Sequence, residues 1–371
     1  MMVDIEISPG KRARTAYSFD DISIVPSRRT REPNEVSTSW QIDAYKFEMP
    51  LLAAPMDSVV SPETAIAIGK LGGLGVLNLE GLWTRYENPK IQLGEISSIP
   101  ADQATRRMQE LYKAPIRPEL IKERIAEIRA AGVTVAGALS PQRTAEFHKA
   151  VIDAGVDIFV IRGTTVSAEH VSKSNEALNL KKFIYELDVP VIVGGCATAQ
   201  SALHLMRAGA AGVLVGFGGG AAHTTRQVLG ISVPMATAVA DVASARREYL
   251  DESGGRYVHV IADGSVGKSG DIAKAIACGA DAVMLGSPLA RAEEAPGRGW
   301  HWGPEAHHPE VPRGARVHVS TAGTLHEILL GPSHASDGSM NLFGALRRAM
   351  ATCGYSDLKE FQRVEVVLNR A

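Results

Sequence analysis

Residues 257–286 read YVHVIADGSVGKSGDIAKAIACGADAVMLG. A short apolar run from Tyr257 to Asp263 gives way to Gly264-Ser265 and a helical stretch. Cys278-Gly279-Ala280 closes that stretch just before a second apolar run, Asp281 to Gly286. A glycine after the last helical residue is a common helix stop, so the segment reads as strand, helix and next strand. The same punctuation recurs at Ala131-Gly132-Val133 and Ala154-Gly155-Val156. Outward from this unit lie PLLAAP (50–55), LGVLN (74–78), VTVAGAL (133–139), DIFVI (157–161), VPVIVGG (189–195) and AGVLVG (211–216), which brings the runs to eight. Helical spacing appears between them, as in Leu120, Ile121, Ile125 and Ile128, or in Met235, Val239 and Val242 behind Pro234. The runs are apolar throughout rather than alternating, which means strands buried on both faces in a parallel sheet. Eight of them favour a single α/β domain, a closed TIM (β/α)8 barrel, over an open doubly wound sheet.

The chain has 371 residues, 45% of them apolar, and a formal charge of -2. That is enough for one large core, and the balance gives no electrostatic case for nucleic acid or a membrane surface. MMVDIEISPGKRARTAY lacks the apolar centre of a signal peptide, and no apolar run reaches the ~20 residues that span a bilayer; the expected location is cytoplasmic. Cys196, Cys278 and Cys353 are widely spaced without a C-x-x-C, which speaks against a disulfide framework or a cysteine-rich zinc site.

In a TIM barrel the chemistry sits at the C-terminal ends of the strands, and phosphate is often held by the loops after strands seven and eight. Those loops are Ala262-Asp263-Gly264-Ser265 and Leu285-Gly286-Ser287-Pro288. The loop after strand six is GFGGGAAHTTR (216–226), a third glycine-rich edge at the same corner. Backbone amides and hydroxyls converging there suit a phosphate monoester; for any one loop, glycine serving a tight turn is the competing reading. Asp263 could accept two ribose hydroxyl hydrogens or cap the following helix. His301, His307 and His308 lack the i, i+4 spacing of a helical zinc motif and read as a surface loop, so no metal ligand is assigned.

PLLAAPMDSVVSPETAIAIGKLGGLGVLN, TTRQVLGISVPMATA, ADGSVGKSGDIAKAIACGADAVMLGSPLA with EEAPG after it, and NLFGALRRAMATCGYSDLKEF resemble the IMP dehydrogenase and GMP reductase family, from about Phe19 to the end of the chain. The chain is most similar to the short actinobacterial proteins related to IMP dehydrogenase, since the interval from Asn78 to Val133 is too short for a CBS module. The resemblance implies a barrel core over about 15–290, a flap-like excursion over about 287–340 that folds across the C-terminal face, and a C-terminal segment over 341–371. It further implies a purine nucleoside 5′-monophosphate as ligand, with Asp263 on the ribose, Gly220, Gly264, Ser265, Gly286 and Ser287 around the phosphate, and Met56 near sugar or base. It leaves room for NAD or NADP and for a monovalent cation, and implies a homotetramer or higher oligomer in GMP biosynthesis.

Several residues depart from that pattern. The family's nucleophilic cysteine, which attacks C2 of the purine, stands directly before two threonines; here that position is His223, ahead of Thr224 and Thr225. A serine of the phosphate loop matches Ala221, the carboxylate closing strand four is replaced in the region of Arg162, and an asparagine of strand five matches Cys196. RGWHWGPEAHHPEVPRGARV, which follows EEAPG, has no adjacent arginine-tyrosine pair to activate water. An imidazole would have to form a charged, labile adduct where a thiolate is intrinsically nucleophilic. Cys196 could be a displaced nucleophile, although a small buried hydrophobe is the simpler reading. Three functions compete: a nucleotide-binding protein that has lost covalent dehydrogenase chemistry, which is favoured; an active NAD(P)-dependent IMP dehydrogenase or GMP reductase with a different arrangement, in which Thr224 or Thr225 assists; and a barrel enzyme for another phosphorylated substrate.

Overall fold

A computed structural model describes residues 4–170, 178–217, 219–311 and 313–369. Eight strands form a closed parallel barrel: β1 (Leu51–Ala53), β2 (Leu74–Asn78), β3 (Ala136–Leu139), β4 (Ile158–Arg162), β5 (Val191–Cys196), β6 (Gly212–Val215), β7 (His259–Asp263) and β8 (Ala282–Leu285). Each of the eight apolar runs supplies one strand. Closure is made by β8 against β1, with Val283 opposite Leu51 and Leu285 opposite Ala53. Strands β1, β3, β6 and β8 are buried along their whole length, as expected of a sheet filled on one face and covered by helices on the other.

Gly279 shows how one unit is terminated. Cys278 is the last αR residue of helix Ser269–Ala277, and Gly279 follows at φ +110°, a backbone that side-chain-bearing residues rarely adopt. A Cβ there would also lie 2.6 Å from that of Ala243, so glycine both turns the chain and admits the neighbouring helix.

The N-terminal mouth is sealed by the hairpin Trp40–Ile42 and Tyr45–Phe47, in which Trp40 stacks on Phe47 at 5.3 Å and meets His259 edge-on. Val366–Leu368 pairs antiparallel with Ile22–Ile24, which fastens the two ends of the chain together. Between β2 and β3 the interval holds helices Lys90–Ser98, Ala101–Leu111 and Pro118–Ala130. After β8, Trp300–His301 and Val317–His318 form a small antiparallel ribbon, and Arg316 lies 3.9 Å over the ring of Trp300. No helix among the described residues is long and apolar enough to cross a membrane.

Candidate functional site

The C-terminal strand ends surround a cavity of about 270 Å³ whose walls include Met56, Gly220, His223, Asp263, Ser265 and Ser287, with Gly264, Gly286 and His301 beside them. The loops after β6, β7 and β8 meet in this wall. A Cβ on Gly219 would lie 2.2 Å from Ser265 Oγ, and one on Gly220 would lie 3.8 Å from Ser287 Oγ. Ser265 Oγ donates to Gly219 O at 3.1 Å. The glycine run thus lets the β6 loop close onto its two neighbours, leaving backbone and hydroxyl groups directed at one corner. A larger groove of about 460 Å³ opens on the outer side of Gly219, between Phe19 and the helix that begins at Met235; it reaches neither His223 nor Asp263.

His223 closes a turn in which its N–H donates to Gly220 O at 3.0 Å. Thr225, buried, begins the short helix Thr225–Leu229. Thr224 Oγ1 accepts from Gly314 N, and Ala222 O accepts from Ala315 N at 3.0 Å. Thr224 is therefore tied to the segment that follows β8, and neither threonine is among the cavity-lining residues. That segment also covers His223. A Cβ on Gly303 would stand 3.1 Å from His223 Cε1, and Glu305 Oε2 lies 3.9 Å from His223 Nε2. The His223 side chain is only 4% exposed and its Nδ1 has no partner. Burial pushes the imidazole below its ordinary value, with the Glu305 carboxylate opposing.

Asp263 is committed to Arg162. Arg162 Nε donates to Asp263 Oδ2 at 3.1 Å, and both side chains are largely buried. The capping alternative for Asp263 is corrected: helix Ser269–Ala277 has Lys268 at its N-cap, and Asp271 accepts from the amides of Gly267 and Lys268. Arg162 retains its charge against the desolvation of burial because Asp263, then Glu305, lie beside it. Burial alone would raise Glu305, but His223 and Arg162 bring it below the usual carboxylate value.

The surface-loop reading of the histidines is corrected as well. His301 is buried, with Nδ1 3.1 Å from Ser58 Oγ, and His307 stacks on Tyr112 with ring centroids 3.6 Å apart. Of the three, only His308 has loop character, its Nδ1 accepting from the amides of Glu310 and Val311. The apolar flanks of Trp300 and Trp302 carry this segment inward; its polarity had suggested the opposite. Behind it Tyr112 donates to Asp57 Oδ2 at 2.6 Å and accepts from Trp302 Nε1 at 3.0 Å, and burial raises Asp57 to about 6. Cys196 is fully buried, its thiol donates to Leu214 O at 3.4 Å, and burial drives it up to about 12. It is core, and so not a displaced nucleophile. Glu305, Arg313, Tyr112 and Asp57 escaped the sequence reading because none sits in a spacing that signals chemistry.

Residues 16–305 match the IMP dehydrogenase / GMP reductase domain family. The chain belongs to that family. An IMP dehydrogenase/GMP reductase-like protein of Corynebacterium glutamicum has a crystal structure that superposes with a TM-score of 0.94 at 52% identity, covering 99% of this chain and 98% of that one. An uncharacterized oxidoreductase of Mycolicibacterium smegmatis is 54% identical over 97% of this chain and 98% of its own length. The inosine-5′-monophosphate dehydrogenase of Methanocaldococcus jannaschii is 28% identical over 94% of this chain and 92% of its own. As an IMP dehydrogenase / GMP reductase family member, the chain comes from an oxidoreductase family of a type consistent with a nicotinamide cofactor.

Proposed function

We propose that this family member binds a purine nucleoside 5′-monophosphate of the IMP, GMP or XMP class and has lost covalent dehydrogenase chemistry. The observation that carries the reading is the pairing of a three-loop corner with a buried imidazole at His223 in its wall. The corner offers amides and the Ser287 hydroxyl to a phosphate, joined by Ser265 once its hydroxyl turns from Gly219 O, and Met56 and the free oxygen of Asp263 to the nucleoside. In the family resemblance the thiolate belongs where His223 stands, and an imidazole adduct would be cationic and labile. On this reading no nicotinamide ring stacks beside the wild-type imidazole. Gly303 and Glu305 cover the imidazole, and Trp302, Tyr112 and His307 are packed behind them.

One observation favours an active oxidoreductase of different design: His223 and Glu305 are titratable groups 3.9 Å apart, a separation open to acid–base work once ligand closes the site. Titration calorimetry with IMP, GMP, XMP and AMP, each with and without NAD and NADPH, separates the two readings. Saturable binding of an oxopurine monophosphate, unaffected by either dinucleotide and without heat of turnover, is expected. Absence of mononucleotide binding would refute the proposal, and cooperative binding with a dinucleotide would favour the active enzyme.

A further inference from the structure

Among the described residues, the cavity wall offers no fixed cation to a phosphate ester. Its ionisable wall residues are His223, His301 and Asp263, and Asp263 already holds Arg162. Around His223 the charges alternate: Asp263 on β7, Arg162 on β4, then Glu305 and Arg313 from the segment after β8, with His301 on the same segment. With both acids and both guanidinium groups ionised, this set is neutral while His223 is neutral. Three of its atoms, His223 Nδ1, Glu305 Oε2 and Arg313 Nε, are buried without a hydrogen-bond partner among the described residues, and such orphans are costly to leave unpaired. An anionic ligand tips the balance negative, and the neutral His223 imidazole 3.9 Å from Glu305 is placed to restore it. His301 is the poorer acceptor of a proton, because its Nδ1 is engaged by Ser58 and no carboxylate is paired with it.

Building on the mononucleotide reading, we propose that ligand binding draws one proton onto His223, with Glu305 as its positioning residue, so that the pocket holds its anionic ligand through an imidazolium–carboxylate pair. Burial keeps the free imidazole neutral near physiological pH, so the proton arrives with the ligand. The linkage sign follows: the bound-state pKa lies above the free-state one, and affinity rises as pH falls between them, by up to roughly tenfold per unit.

The test is calorimetry of the full chain with IMP at about pH 7.5, where the phosphate is already mostly dianionic, in buffers of different ionisation enthalpy. The dependence of the observed heat on buffer gives the protons taken up. Wild type is expected to take up a substantial fraction of one proton per IMP, and His223→Gln and Glu305→Gln are expected to bind IMP with uptake near zero. Equal uptake in wild type and either folded variant, or none in wild type despite binding, overturns the inference while leaving the mononucleotide reading standing. If IMP does not bind wild type at all, that reading falls and takes the inference with it. Should one variant fail to fold, the other decides, because each removes one half of the pair.

Discussion

His223 is held by backbone that would accept a smaller side chain, since its turn is set by Gly220 and its neighbours and not by the imidazole. His223→Cys is therefore expected to fold and to present a thiol whose alkylation is slowed by bound nucleotide. Given IMP and NAD, it should yield at most a single-turnover burst of reduced cofactor, because no arginine-tyrosine pair stands in the segment after β8 to activate water. Asp263 behaves differently because of Arg162. Removing the carboxylate in Asp263→Ala strips a buried guanidinium of its hydrogen-bonded partner and leaves Glu305 as the carboxylate beside it, so the stability cost stays below the ~3–5 kcal/mol of a wholly uncompensated buried charge and is visible as a lower unfolding midpoint. Asp263→Asn keeps an acceptor and should lose less. An unchanged midpoint in Asp263→Ala would show that Arg162 finds another partner or water. The cavity-wall residues could be picked out in the sequence because three neighbouring loops each carry glycine at a strand end, two of them followed by serine, whereas any one alone would read as a tight turn. Arg162 on Asp263 could not, because the two lie on β4 and β7, which are not neighbours in the sheet and meet across the mouth only when the barrel closes.

At the scale of elements, the strands and several helix stops were readable in advance because burial on both faces writes continuous apolar runs and glycine follows helices such as Pro118–Ala130, Pro141–Asp153 and Ser269–Ala277. The two-residue strands Trp300–His301 and Val317–His318 carry no such period, so the excursion was expected only from the family resemblance and its histidines read as surface loop. The opposite end of the barrel shows where stability is concentrated. Asp281, at the foot of β8, accepts from Arg246 at 2.7 Å, from Tyr257 at 2.7 Å and from the amide of Val260 at 2.8 Å, and pairs with Lys359 of the C-terminal helix. Burial would raise its pKa, but Arg246, followed by Lys359, holds it down to about 2. A depressed carboxylate stabilises the fold above its unfolded pKa and loses that contribution as pH falls through the folded value. About 2 kcal/mol should disappear between about pH 4 and about pH 2. Denaturant titrations across that range should show the loss in wild type and a flatter profile in Asp281→Asn; equal slopes would remove Asp281 from the account.

Across the whole molecule, one mouth of the barrel is plugged by a hairpin and stapled by Asp281, while the other carries the glycine-rich corner and a segment folded across it. Architecture and family could be argued from motifs spread over most of the chain. Whether chemistry survives could not, because it depends on what stands around one imidazole, and that is decided by Gly303, Glu305 and Arg313 arriving from a loop distant in sequence. The central claim is that the corner binds nucleotide while the dehydrogenase reaction is gone. Its most direct test follows absorbance of reduced cofactor from the pre-steady state onward, using wild-type protein saturated with IMP, as verified by calorimetry, and supplied with NAD. Neither a burst nor a steady state is expected. Steady-state NADH formation with IMP consumed in step would contradict the claim and place a cysteine-free mechanism at His223.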